Sequence, residues 1–365
     1  MKRALMKYLF SFFIAVFFTV SCTSGDTLYV GTYSSSDSQG IYRYKFDDEK
    51  GELNLIDVIP NKENPSFIAF NPDLSVLYAV SEENDGYINS YLLENDSFKH
   101  VNKRSTTGKH PCHVTVSPDG KVVVATNYGS GSVSIFNALP DGGLEEVKQV
   151  IQHQGSGPDT RRQEGPHAHS SLFTKDGKVL VVADLGTDKL YFYKRSADGS
   201  QFIESEAVKL DAGVGPRHFV FSKDQRFIYV LNELASSVSV IENVGGSYKI
   251  IETVSGLPSE FQGNSSGADI HLTPDGKFLY SSNRGHNSIA IFSRNSQTGK
   301  INFLGTEPVR GSVPRNFVIS PNGKFLLVAN QRTNNISIFS INKDGLLTYI
   351  DNNISVPSPV CLVFK

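Results

Sequence analysis

Residues 215–233 read GPRHFVFSKDQRFIYVLNE. Phe219, Val220 and Phe221 run into the polar group Lys223-Asp224-Gln225-Arg226, and Phe227-Ile228-Tyr229-Val230-Leu231 run back out. Aromatic and β-branched runs on either side of turn-forming residues describe a β-hairpin. Folded about that turn, the hairpin sets Arg217 opposite Glu233 at its open end, as cross-strand charge pairs are set in sheets. In a lone hairpin this would be an ordinary surface ion pair.

The hairpin is not alone. NPSFIAFNPDLSVLYAVSE from Asn64, HPCHVTVSPDGKVVVATNY from His110, HAHSSLFTKDGKVLVVADL from His167, GADIHLTPDGKFLYSSNR from Gly267 and VPRNFVISPNGKFLLVANQ from Val313 align with it without gaps. All turn through Asp/Asn-Gly or a close substitute, the chemistry a tight turn demands. A further alternating strand follows most copies, as at 133–136, 190–193, 238–241, 289–292 and 336–339. A seventh copy is split: residues 28–33 (LYVGTY) resemble a second strand lacking its first, and residues 359–364 (PVCLVF) a first strand lacking its second. The hairpin proline, or its replacement, falls at 65, 111, 168, 216, 267, 314 and 359. Such a period, with about four strands per unit, predicts an all-β chain folded as a β-propeller. Seven blades are expected in one domain, residues 28–365, with the terminal strands paired in one blade so that the ring has no free edge. Inner runs such as Val122-Val123-Val124-Ala125 are apolar on both faces, as blades packed on both sides require.

The amino terminus has a different character. Lys2, Arg3 and Lys7 precede an apolar run from Tyr8 to Val20, then Ser21 and Cys22. A charged segment, a short apolar core and a small residue before a cysteine predict a lipoprotein-type signal, residues 1–21, with lipid added at Cys22. Residues 22–27 are then a short linker. The mature chain is expected to be exported and held on a bacterial membrane, periplasmic or cell-surface, through that lipid alone. Net charge is −2, with 35 basic and 37 acidic residues, which offers no basic face for nucleic acid. The remaining cysteines, Cys112 and Cys361, form no metal-binding or disulfide pattern and read as small buried hydrophobes.

The alignment also locates a rim. The position of Arg217 is held in turn by Ser66, Cys112, His169, Arg217, Ala268, Arg315 and Val360; that of Glu233 by Tyr33, Glu82, Tyr128, Leu185, Glu233, Arg284 and Gln331. A purely structural position would repeat one residue type. Here ionisable residues gather in neighbouring blades, at His169, Arg217 with Glu233, Arg284 and Arg315, the composition of an anion-binding, acid–base pocket. Glu82 extends the set. The preceding column, Thr32, Ser81, Asn127, Asp184, Asn232, Asn283 and Asn330, is uniformly small and polar and suits backbone bonding at strand ends, with Asn127, Asn232 and Asn283 as secondary ligands. The longest interval holds a polar loop, residues 152–167, that delivers His167 beside His169. His-x-His could be half a metal site, but no third ligand presents itself, and neither metal nor cofactor is expected.

At these motifs the chain resembles the seven-bladed lactonase family that joins bacterial 6-phosphogluconolactonase with fungal 3-carboxy-cis,cis-muconate lactonizing enzyme. The shared features are YVGTY…GIYRYKFD, NPSF…LYAVSE, RQEGPHAHS, GPRHFVFS…YVLNE, SSNRGHNSIAIF and PSPVCLVF. The resemblance implies hydrolysis of a small anionic lactone of a sugar acid. It also implies His169, Arg217, Glu233 and Arg284 as the catalytic set; the rim and the loop add Arg315 and His167 as expected substrate contacts. Arg217 and Arg284 would grip a phosphate or carboxylate. His169 would move the proton, since a Glu233 paired to Arg217 is a weak base. Two other functions share this sequence: a non-catalytic exported propeller that binds a glycan or protein, and a muconate-type cyclising enzyme.

Overall fold

The computed structural model describes residues 26–34 and 37–365. The proposed signal segment and its lipidation site Cys22 lie outside them. Twenty-eight strands, numbered β1–β28 in chain order, form seven four-stranded antiparallel sheets, with no helix among the described residues. Six sheets use consecutive strands. The seventh has the order β28-β1-β2-β3, with β28 (Pro359–Phe364) hydrogen-bonded to β1 (Thr27–Thr32). Leu28 pairs with Phe364 and Val30 with Leu362, so the split copy closes the ring as the sequence implied. The first strands of the other six blades are β4 (Ile68–Phe70), β8 (Pro111–Val116), β12 (Ala168–Phe173), β16 (Pro216–Phe221), β20 (Ser266–Leu272) and β24 (Pro314–Ile319). Each touches the next around the ring and lines the central channel.

One boundary moves. Asp26 and Thr27, read as linker, belong to the first blade: Thr27 N donates to the Lys365 carbonyl at 3.0 Å, and Phe46 N donates to that of Asp26. The ladder satisfies backbone groups whatever their side chains, so polar residues extend a strand that hydropathy would have ended.

Seven apolar clusters hold the ring, one between each pair of adjacent blades. Phe227, Tyr229 and Leu231 of one blade meet Ile270, Leu279 and Phe292 of the next. The second strands are buried throughout, which is why their runs lack polar alternation. The turns between first and second strands repeat one device. Ser117 Oγ donates to Asp119 and accepts from Val122 N, Asp119 Oδ1 accepts from Lys121 N, and Gly120 takes φ +71°. Thr174/Asp176/Gly177 and Thr273/Asp275/Gly276 do the same.

Candidate active site

The open ends of the hairpins carry an irregularity that the repeat pattern does not reveal. The register between first and second strands slips at the same place in six blades, around Cys112, His169, Arg217, Ala268, Arg315 and Val360. A β-bulge leaves a residue unpaired and re-aims its side chain. These are the rim positions of the alignment, and the bulge turns them toward the channel.

Around Glu233 the rim residues converge. Its Oε2 lies 2.9 Å from Arg217 Nε and 3.0 Å from Arg284 Nη2, and its Oε1 accepts from Arg162 Nη2 at 2.5 Å. The carboxylate is 3% exposed. Burial by itself would raise its pKa, but Arg284, Arg217 and Arg162 outweigh burial and hold it at about 2. Glu233 is therefore an ionised anchor and a poor proton acceptor. Arg217 is sealed in: it is 2% exposed, and its Nη1 donates to the Ala268 carbonyl. Burial beside Arg284 and Arg315 brings it down to about 10, still a cation at neutral pH. Arg284 also donates to the Gly267 carbonyl at 2.7 Å, yet keeps some exposure. Arg284 and Arg162 thus keep part of their guanidiniums open to solvent, while Arg217 is enclosed.

His169 is buried at the same level. Its Nδ1 lies 3.6 Å from Cys112 Sγ, whose thiol donates to the His169 carbonyl at 3.2 Å. Burial, then the charges of Arg217, Arg315 and Arg284 with His218 nearby, hold its conjugate acid well below 6.5. It is neutral at physiological pH. His167 stacks on Tyr128 with ring centroids 4.5 Å apart, donates from Nδ1 to the Tyr128 carbonyl and meets Glu164 through Nε2. It props the wall of the pocket beside His169.

Across the channel Glu82 accepts from the Tyr33 hydroxyl at 2.9 Å and from Ser66 Oγ. The Arg315 guanidinium lies over the Tyr33 ring, 5.3 Å from its centroid, and makes no hydrogen bond or ion pair among the described residues. Burial would lower its pKa, but Tyr33 and Glu82 more than offset that. Four guanidiniums thus face two carboxylates. Arg162 and Arg284 of this group also border a cleft of about 740 Å³, lined further by Arg161 and Arg332 with Asp159 as its one acid. Asp159 is spent on the backbone N–H groups of Arg161 and Arg162. The excess of guanidiniums gives the cleft a positive potential. Among the described residues, no three His, Cys, Asp or Glu side chains converge so as to hold a metal ion.

Asn127, Asn232 and Asn283 leave the candidate site. All three are fully buried. Asn232 Nδ2 donates to Ser237 Oγ and Ser239 Oγ, Asn127 to Ser132 and Ser134, and Asn283 to the Gly256 carbonyl. Asn127 and Asn232 stitch a second strand to the third, and Asn283 ties its strand to the loop before the blade and, at 3.4 Å, to Ser288, because the side chain before the rim points into the blade. Arg162, by contrast, escaped sequence reasoning. It lies in the long loop, but nothing in the composition separates it from Arg161. What selects it is the loop's anchoring: Asp184 accepts from His153 Nδ1 at 2.6 Å and from His167 N, and Gln163 donates to Asp188.

The chain matches the family described as "Lactonase, 7-bladed beta-propeller" over residues 27–364. A Bacillus subtilis protein named 6-phosphogluconolactonase is 37% identical over 342 residues, 92% of this chain and 97% of that one. A solved structure from Bacteroides fragilis superposes with a TM-score of 0.88 at 38% identity, covering 94% of this chain and 99% of the other. A Pseudomonas aeruginosa protein described as periplasmic gluconolactonase superposes equally well, with a TM-score of 0.88 at 32% identity, covering 93% and 98%. With the match spanning every blade and the rim, this chain belongs to the seven-bladed β-propeller lactonase family.

Proposed function

We propose that this protein hydrolyses the lactone of an anionic sugar acid, with His169 as the proton-transfer group and arginines as the anion grip. The observation that carries the reading is the pairing of a buried, neutral imidazole with a guanidinium cluster in excess of its carboxylates. Water attacks the lactone carbonyl carbon and yields its proton to His169. The developing oxyanion is met by the cluster. As the ring C–O bond breaks, the ring oxygen takes a proton back, and the product is an open-chain hydroxy acid. Glu233 holds Arg162, Arg217 and Arg284 in place and stays ionised. The cleft of Arg161, Arg162, Arg284 and Arg332 receives a phosphate or carboxylate on the substrate.

The signal-like segment supports export with lipid attached at Cys22, and the likeness to a relative described as periplasmic gluconolactonase favours a reading without phosphate. A panel of aldonolactones, with and without phosphate, separates the two. Hydrolysis of the phosphorylated member at a higher kcat/KM supports the arginine cleft as its subsite. Equal values for both move the assignment to the neutral lactone. His169→Gln is expected to lower kcat by roughly 10²–10⁴. Full activity in that variant sinks the assignment, and glycan binding without turnover by the wild type replaces the enzyme with a binding propeller.

A further inference from the structure

The bulges have a second consequence. Because each rim residue is displaced, its successor also faces the channel, one layer deeper. In five consecutive blades these successors are polar: His113, Ser170, His218, Asp269 and Asn316. They line a cavity of about 430 Å³ on the far side of the arginine layer from the cleft. The lactonase reading does not use them.

Asp269 is the hub. It is 3% exposed; its Oδ1 accepts from His218 Nδ1 at 2.7 Å, and its Oδ2 meets His271 Nε2 at 2.9 Å, Asn316 Nδ2 at 2.5 Å and Phe317 N at 3.2 Å. A carboxylate only accepts, so His218 carries its proton on Nδ1 and its Nε2 is a bare lone pair. That Nε2 is buried and has no partner, in a residue 7% exposed. Its ring stands edge-on to His169, 5.3 Å between centroids. Carboxylate, oriented imidazole and free lone pair are the arrangement by which a carboxylate–histidine pair accepts a proton.

We propose that His218, oriented by Asp269, takes the reaction proton from His169 and releases it to the lower cavity. This rests on the lactonase reading. Lactone plus water gives a hydroxycarboxylate and one proton at neutral pH, and with substrate seated above, that proton needs another way out. His169 gains the proton from water or from the new carboxylic acid; a water between the two rings carries it to His218 Nε2, Asp269 stabilises the imidazolium, and water in the cavity removes it. The groups facing His218 are His113 from β8, His169 from β12, Arg217 from its own strand and Asp269 with His271 from β20; β24 offers the uncharged Asn316. Burial and Arg217 hold the His218 conjugate acid at about 4, so the ring is empty at neutral pH and passes the proton on. His271, whose side chain is 36% exposed, is raised by Asp269 against burial and continues the path outward.

The test measures steady-state hydrolysis of a lactone that the wild type turns over. His218→Ala is expected to lower kcat at least about tenfold with KM within about twofold, and millimolar imidazole, which the enlarged cavity admits, restores a saturable part of kcat. A structural role would not respond to imidazole. A folded His218→Ala protein with wild-type kcat, or a loss that imidazole leaves untouched, overturns the relay. Should that variant fail to fold, His271→Gln gives the readout: kcat falls in dilute buffer and recovers as buffer concentration rises, while the wild type is indifferent. No buffer dependence in His271→Gln also overturns it. A wild type that hydrolyses no lactone removes both readings, whereas turnover that survives in the variants removes the relay alone.

Discussion

Replacing Glu233 by glutamine keeps the shape of the site and deletes the charge that three guanidiniums share. In the folded protein its carboxyl titrates at about 2, against 4.5 for an ordinary glutamate. At about 1.4 kcal/mol per pH unit, that gap is worth about 3 kcal/mol of stability at neutral pH. A second route agrees: removing one partner from a buried ion pair costs about 3–5 kcal/mol, because the stranded charge stays buried. The sign follows from the acidity. A carboxyl more acidic in the folded state contributes in full above pH 4.5, and its contribution disappears as pH falls toward 2. The chain has no tryptophan, so urea unfolding is followed by far-UV circular dichroism. Glu233→Gln is expected to be about 3 kcal/mol less stable than the wild type at pH 7, with the two curves converging as pH approaches 2. A variant within about 1 kcal/mol of the wild type at pH 7, or a gap that does not shrink in acid, refutes the argument that the arginines hold Glu233 ionised.

Arg315→Gln removes a cation held by Tyr33 and Glu82, so some stability is lost at neutral pH, and KM for an anionic lactone should rise roughly ten- to a hundredfold, the worth of one charged hydrogen bond. An equal rise for a neutral lactone would show that Arg315 does not read the anion. Asn232→Ala should cost about 1–3 kcal/mol in thermal or urea unfolding and leave KM unchanged, since the Asn232 side chain donates to Ser237 and Ser239; a KM effect without destabilisation would return it to the pocket. His169 is uncharged until pH falls well below 6.5, so kcat/KM should stay flat from about pH 8 to 6 and drop only in stronger acid, as a pH–rate profile will test.

The rim residues could be found in the sequence because a propeller repeats its geometry: the column of Arg217 and the column of Glu233 each name one place seven times. Reading the next column down would have exposed His113, His218 and Asp269 too, but alternation along an unbroken strand turns that column away from the channel. The bulge cancels the alternation, and it arises from hydrogen-bond register between strands, which no residue type in these motifs announces. Arg162 was hidden for a different reason, since its position depends on how Asp184 and Asp188 pin a loop of otherwise interchangeable polar residues.

Strand count, turn chemistry and ring closure follow from local sequence, because each depends on hydrogen bonds and burial within one blade and on the apolar faces it offers its neighbours. The split seventh copy, completed by β1 and β28, belongs there as well. The roles within the site do not. Glu233 could be base, ligand or anchor until Arg162, Arg217 and Arg284, brought from separate parts of the chain, were found around one carboxylate. Charge and proton affinity are set by the distances among side chains in a low-dielectric channel, and those distances exist only once all seven blades have closed.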